Sequence, residues 1–405
     1  MGEVESSSRS KWEDTLPKLL LRNCVKWGEK CVALRKKAHG IWEEYTWTDC
    51  YQKVKEICLG LLALGLQPGD TVSILGDNNP EWLWSELAVQ AAGGMVVGVY
   101  AGASAQETEY VIGDSSSKFV IAQDQEQVDK LIEVKDNLPL LSRIVYWCEK
   151  GMRHYQITVL TSLAEVVMLG EACDKKEPER FERQLALGKG DDIAMSFYPL
   201  ENPIGRRGVL ATHQGLLSAI EAALACNTIG ENDEYVCVSS AGRLSEQLLG
   251  FGAFLSRGQK LNFPESLETA IEDLREISPH TLAYSSEVWD QIASGIKTNL
   301  SGGSRINRLM YNLYLPVGYK MTELRLKGRE SSLFWRSLNA TAWLLLFRPL
   351  RDKHGLKREK VAYVTEGTVS QEVFRFFSAI GVNLQQMLGP GECDIVSGRT
   401  GQLCD

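Results

Sequence analysis

The chain has 405 residues, with 44 Lys and Arg against 52 Asp and Glu, 44% hydrophobic and 24% charged residues. That is ordinary globular composition, which excludes disordered, collagen-like and low-complexity scaffolds, and the length predicts two or three domains. The formal charge of −8 argues against a protein whose main task is gripping nucleic-acid phosphates, so no nucleic-acid partner is expected.

Residues 1–14 are polar and acidic, lack the apolar core of a signal peptide, and read as a flexible leader, although Met1-Gly2-Glu3-Val4-Glu5-Ser6 fits the loose N-myristoylation pattern. His39-Gly40 predicts a turn between strand-like segments at Cys31–Lys36 and Ile41–Trp47. Thr48 or Asp49 is expected to cap a helix carrying Val54, Ile57, Cys58, Leu61 and Leu62 at helical spacing, with Gly65 as its stop. Thr71–Leu75 predicts a strand, and Asn79-Pro80 opens a helix with proline in its first turn. Further strands are expected at Met95–Tyr100, Lys118–Ala122 and Arg143–Trp147, followed by a charged linker or surface excursion at Cys173–Gly190.

The same rhythm then resumes. Asp192–Phe197, Tyr235–Val238, Thr281–Tyr284 and Lys360–Val364 predict strands, and His213–Cys226, Glu246–Leu255, Leu267–Ile277 and Gln371–Ile380 predict helices. Repeated strand-then-helix units imply α/β architecture, with parallel sheets covered by helices on both faces. Residues 305–360 differ. They combine Leu333, Phe334, Trp335, Leu338 and Trp343–Phe347 with many Arg and Lys, as in a basic amphipathic helix. Such a segment is either a helical insertion packed on the body or a peripheral contact with an anionic membrane.

Ten cysteines contain no CxxC pair, and several sit in apolar runs, so reduced, buried thiols of a cytoplasmic protein are expected rather than disulfides or structural zinc. No run of 18 apolar residues is available to span a bilayer. No Ser-His-Asp spacing stands out among the five histidines. The best candidate for chemistry is the strand–loop–helix from Asp192 to Cys226. Its loop reads Tyr198-Pro199-Leu200-Glu201-Asn202-Pro203-Ile204-Gly205-Arg206-Arg207-Gly208-Val209. A loop ahead of a helix is where a phosphate cradle belongs, because free backbone N–H groups converge there. Two prolines without N–H, one repelling Glu, and bulky Leu200 and Ile204 work against that use. Only Gly205, Arg206, Arg207 and Gly208 suit an anion.

Asp14–Arg22, Trp42–Trp47, Gly76–Trp84, Gln90–Tyr100, Asp124–Asp136 and Leu267–Arg275 together resemble the AMP-forming acyl-CoA synthetases, and are most similar to the bacterial long-chain fatty acid–CoA ligases. The likeness runs from about Leu16 to Glu392. It implies formation of an acyl-adenylate from a carboxylate and MgATP, then transfer to CoA. It also implies a large N-terminal domain of two doubly wound α/β subdomains plus a distorted β-barrel, closed by a small C-terminal domain. On this reading the leader 1–14 precedes a first α/β subdomain at 15–190. A second follows at 191–392, with the basic insertion at about 305–360, and 393–405 starts the barrel region.

At the nucleotide the resemblance thins. Where the family has Tyr-Thr-Ser-Gly-Thr-Thr-Gly-x-Pro-Lys-Gly-Val, this chain keeps Tyr198, Gly208 and Val209, with Arg207 at the lysine position. The nucleotide-binding positions implied are Gly205, Arg207, Gly208, Glu366, Gly367, Thr368, Leu388 and Gly389, and Glu392 is the implied Mg²⁺ carboxylate. The central Pro-Leu-x-His/Trp segment becomes Ser240-Ala241-Gly242-Arg243 ahead of Glu246-Gln247, which makes Arg243 and Glu246 the candidate catalytic positions. Phe251, Tyr284 and Trp289 are the candidate lining of an acyl pocket. The family's ribose-binding Asp, hinge and C-terminal lysine have no counterpart before Asp405. The expectation is therefore an adenylation-deficient, acyl-binding homologue with doubtful use of ATP, Mg²⁺ and CoA. The alternatives are an active ligase, one rescued by a partner chain supplying the C-terminal domain, and a decayed product without function.

Overall fold

The computed structural model describes residues 13–199, 202–225, 229–266, 268–301 and 305–387. The leader to residue 12, the tail 393–405, and the site positions Leu200, Glu201, Leu388, Gly389 and Glu392 lie outside the described residues.

Fourteen strands are described: β1 (Val32–Ala38), β2 (Ile41–Thr46), β3 (Thr71–Leu75), β4 (Met95–Val99), β5 (Phe119–Ala122), β6 (Arg143–Tyr146), β7 (Leu160–Ser162), β8 (Ile193–Phe197), β9 (Val209–Thr212), β10 (Glu234–Val236), β11 (Lys260–Phe263), β12 (Thr281–Ser285), β13 (Val361–Glu366) and β14 (Leu384–Gln386). They form two seven-stranded sheets, ordered β7-β6-β5-β3-β4-β8-β9 and β14-β13-β12-β10-β11-β1-β2. Each is parallel except for one antiparallel edge strand, β9 on the first and β2 on the second. The α/β expectation holds, and the barrel region lies outside the described residues.

Period-two alternation builds the layers, since neighbouring side chains on a strand face opposite ways. Val72, Ile74, Val96 and Ile121 of the first sheet meet Leu34, Tyr235, Leu261 and Tyr363 of the second in one central core, together with the helices Trp47–Ala63 and Pro80–Ala91. Val97, Val120 and Ala122 turn the other way, onto helices Ala105–Asp114 and Gln125–Val134. Leu282, Ala362 and Val364 turn outward from the second sheet onto Trp289, Phe347 and Phe376. Burial on both faces explains why these strands read as apolar runs rather than alternating ones.

The chain does not divide between sheets at residue 190. β1 and β2 belong to the second sheet, with Leu34 paired to Leu261, while β8 and β9 complete the first. The parallel β1–β11 pairing needs partners far apart in sequence, which local pattern does not encode. Cys173–Gly190 is no linker either. Helix Leu163–Lys176 runs into it, and Arg180–Leu187 is an amphipathic helix that buries Phe181 and Leu185 four residues apart. The helix at 47–63 is capped by Thr46, one residue before its first turn. Its hydroxyl accepts from the Asp49 N–H while the Asp49 carboxylate accepts from the Thr46 N–H, a reciprocal capping box. His39 and Gly40 both adopt positive φ, as the tight turn between β1 and β2 requires. All seven cysteines described as thiols are free, with Cys50, Cys58 and Cys237 buried. No helix among the described residues is long and apolar enough to cross a membrane.

Candidate functional site

In parallel α/β sheets the loops beyond the carboxyl ends of the strands collect ligands, because the strands stop together there and helix N-termini begin. Four such ends carry the candidate residues. β3 runs into Gly76-Asp77-Asn78-Asn79, β8 into the 198–208 loop, β10 into the 237–243 segment, and β13 into Glu366-Gly367-Thr368.

The β10 loop is the junction between the two sheets. A Cβ on Gly98, inside β4, would sit 2.5 Å from the Gly242 Cα, so backbone meets backbone with no room for a side chain. Beyond it, Arg243 starts the helical segment Leu244–Glu246, which continues as a π-helical turn, Gln247–Gly252, and then Ala253–Arg257. This placement separates three neighbouring side chains. Arg243 turns outward and its Nη1 pairs with Oε1 of Glu366 at the end of β13. Glu246 turns inward: its Oε1 accepts from Asn78 Nδ2 at 2.8 Å and its Oε2 from the Tyr235 hydroxyl at 2.7 Å. Gln247 donates to Glu86 at 2.8 Å and to the Ala241 carbonyl at 2.9 Å, and so ties the segment to helix Pro80–Ala91 under the first sheet.

Burial pushes both carboxyls up to about 7, Glu246 against bonds from Tyr235, Asn78 and Cys237, and Glu86 against bonds from Gln247 and Gln90. Removing a carboxylate from water disfavours its charge, and two or three neutral donors do not compensate. Glu246 can therefore hold or release a proton near neutrality, but it is enclosed. Arg243 and Glu366 remain partly exposed, so they form the reachable part of the junction.

The 198–208 loop is a hairpin connection, a geometry not anticipated from its sequence. Phe197 pairs with Val209 across it, which makes Val209–Thr212 an edge strand ahead of helix His213–Ala225. Tyr198 anchors it by donating to Asp114 at 2.7 Å. The Arg206 N–H donates to the Pro203 carbonyl in a turn, with Gly205 at φ +80°. That amide is spent, Pro203 has none, and Gly208 backs against Ser196 and the Tyr198 ring. Arg206 and Arg207 are exposed cations. These groups suit a loosely held anion, and Leu200 and Glu201 of the same loop lie outside the described residues. Gly367, at φ +65°, lies against Ser286, and its carbonyl accepts from Gln386, while Thr368 is exposed. Among the described residues no group of three or more His, Cys, Asp or Glu side chains is placed to hold a metal ion.

Phe251, Tyr284 and Trp289 do not come together as one lining. Phe251 lies in the central core against Trp82 at 6.0 Å. Tyr284 and Trp289 lie in the outer core of the second sheet, 5.4 Å apart, with the Trp289 indole donating to the Tyr363 carbonyl. The Tyr284 hydroxyl is buried without a hydrogen-bond partner among the described residues and lies close enough to Glu246 to feel its charge. A polar cavity of about 280 Å³ opens beside this cluster, lined by Lys36, Asp77, Asn78, Gln123, Cys237 and Glu265, among others. Burial lowers the pKa of the Lys36 amine, which donates to Asn79 and to the Pro264 carbonyl. Sequence reading passed over Asn78, Lys36 and Cys237. The available signal was the polar run Asp77-Asn78-Asn79 directly after the buried strand β3.

A family model for AMP-binding enzymes matches residues 22–179. The fold resembles the N-terminal domain of adenylate-forming enzymes. The adenylation domain of a carboxylate reductase from Mycobacterium chelonae superposes with a TM-score of 0.65 at 14% identity, covering 93% of this chain and 58% of that one. The anthranilate CoA ligase AuaEII, in complex with anthranoyl-AMP, gives 0.64 at 17% identity, covering 93% and 58%. In sequence the chain is 24% identical to the long-chain-fatty-acid–CoA ligase ACSBG2 of Mus musculus over 391 residues, 94% of this chain and 57% of the mouse protein. It is 25% identical to the rat ACSBG2 over 389 residues, with the same coverage. The chain is similar in sequence to these long-chain-fatty-acid–CoA ligases and spans a little over half their length.

Proposed function

We propose that this chain is a long-chain fatty acid–CoA ligase homologue that holds the carboxylate end of an acyl ligand and does not form an adenylate. The observation that carries this reading is the Arg243–Glu366 ion pair across the carboxyl ends of β10 and β13. A guanidinium already engaged by a carboxylate, and partly open to solvent, can exchange Glu366 for a ligand carboxylate with bidentate geometry. The same pair occupies the position where the resemblance puts adenine, and in the 198–208 hairpin Pro199 and Pro203 have no amide to offer a phosphate while the Arg206 N–H is already bonded to the Pro203 carbonyl. Glu392, the one Mg²⁺ position implied, lies outside the described residues. A cytoplasmic location with peripheral membrane contact fits a chain whose ligands partition into bilayers.

The competing reading is an active AMP-forming ligase using ATP, Mg²⁺ and CoA, alone or with a partner chain supplying further residues. It is favoured by the names of the curated relatives. ATP–pyrophosphate exchange with a panel of fatty acids separates the two. We expect no exchange above the protein-free control. Calorimetry should show fatty-acid binding that weakens by roughly tenfold in Arg243→Ala, the scale of one charge-assisted pair. Exchange dependent on a fatty acid, or an affinity untouched by the substitution, overturns the proposal.

A further inference from the structure

Helix Leu333–Ala342, the π-helical turn Trp343–Phe347 and helix Arg348–Lys353 form one continuous rod on the outer side of the second sheet. Its inner side is buried through Ala342, Leu346, Phe347 and Leu350. Its outer side presents large apolar groups to solvent: Leu333 is 79% exposed, Phe334 69%, Leu344 59% and Leu345 51%. The exposed groups form two pairs, Leu333-Phe334 at one end and Leu344-Leu345 within the π-helical turn, with Ser337 and Thr341 between them. Two such apolar pairs on one exposed rod mark a contact more than a single exposed leucine does.

The charge around the rod says what it contacts. Residues 305–360 carry 13 Lys and Arg against 4 Asp and Glu, in a chain whose formal charge is −8. Part of this excess is used inside the protein, as in the Arg351–Glu359 and Lys360–Asp233 pairs. Arg325, Arg336 and Arg348 are exposed and have no carboxylate partner among the described residues. A surface of leucine and phenylalanine edged by exposed arginines matches the two-layer chemistry of a bilayer face. Acyl chains accept the apolar groups, and anionic headgroups accept the guanidinium ends of side chains that reach upward.

We propose that the outer face of residues 333–348 docks on an anionic lipid surface, with Phe334, Leu344 and Leu345 inserted and Arg336 and Arg348 at headgroup level. This deepens the membrane part of the reading above and is independent of the acyl-binding part, because it is measured with no substrate present. The test is co-flotation of the full chain with phosphatidylcholine vesicles, with and without phosphatidylserine. Binding should require phosphatidylserine and fall with added salt. Phe334→Ser/Leu345→Ser and Arg336→Glu/Arg348→Glu should each weaken it by about tenfold, from lost insertion and from reversed headgroup attraction respectively. The altered side chains are exposed, so melting temperatures should match the parent, and the charge variant keeps the test valid if the serine variant is unstable. No binding to phosphatidylserine vesicles, binding that either pair of substitutions leaves unchanged, or a self-association lost in Phe334→Ser/Leu345→Ser would each overturn the proposal.

Discussion

Glu246 and Gln247 are adjacent in sequence yet bond to different partners, one to Tyr235 and Asn78, the other to Glu86. Both carboxyls are held at about 7 by burial, above the ordinary value of 4.5. A carboxyl whose folded pKa is raised binds its proton more tightly in the native state than in the unfolded one. Stability therefore falls as pH rises from about 4.5 to about 7, and the penalty is complete above that. Glu246→Gln keeps the neutral form at every pH. It should leave urea stability near parental at pH 5 and raise it at pH 8 by on the order of 1–3 kcal/mol. Equal effects at the two pH values would show that Glu246 is charged in the native protein. The Glu-Gln pair was visible in the sequence as a retained piece of a motif. Its opposite orientations were not, since they depend on the π-helical turn that follows. The Arg243–Glu366 pair was equally hidden: both residues were singled out, but joining them requires knowing that β10 and β13 flank β12.

At the level of elements, composition misled where charge masked a helix. Arg180–Leu187 lies in a charged stretch and carries Arg180, Glu182 and Arg183 itself, and only Phe181 and Leu185 mark its buried side. Phe181 packs edge-on to Tyr51 at 5.4 Å, and Glu182 accepts from the Tyr51 hydroxyl. Phe181→Ala should cost about 3–4 kcal/mol in urea unfolding, the usual toll for emptying a buried phenyl site. A loss below about 1 kcal/mol would mean the helix is an ornament on the surface, as its charge suggested. The longer strands and part of the helices were legible to within a few residues, because turn signals and apolar runs are local properties, but helices Leu16–Trp27, Ala105–Asp114 and Gln125–Val134 were not read. Strands β7, β9, β11 and β14 were missed, since runs of three or four residues carry little pattern.

For the molecule as a whole, the two sheets are joined by contacts too close for side chains. Glycine within a strand often marks another backbone nearby, and Gly98 in β4 is such a case. Gly98→Ala should destabilise the protein by about 2 kcal/mol or more, since the added methyl meets the Gly242 Cα and neither backbone can yield alone. Gly242→Ala should cost less, because its added carbon would lie 3.2 Å from Gly98 Cα instead of 2.5 Å. The reverse order, measured by thermal melts of both variants, would place the tight contact elsewhere. The fold class was legible in the sequence. The allocation of strands to sheets was not, because a strand's pattern states which faces are buried and leaves its neighbour unnamed.

That allocation also constrains how the protein comes into being. Leu34 lies beside Leu261, and Lys36 beside Phe263. During synthesis the hairpin of β1 and β2 leaves the ribosome long before the strand that will cover its free flank exists. Neither sheet is complete when β8 has been made: one lacks β9, the other has only its outermost hairpin. The nascent chain must carry an unpaired strand edge until β11 is made.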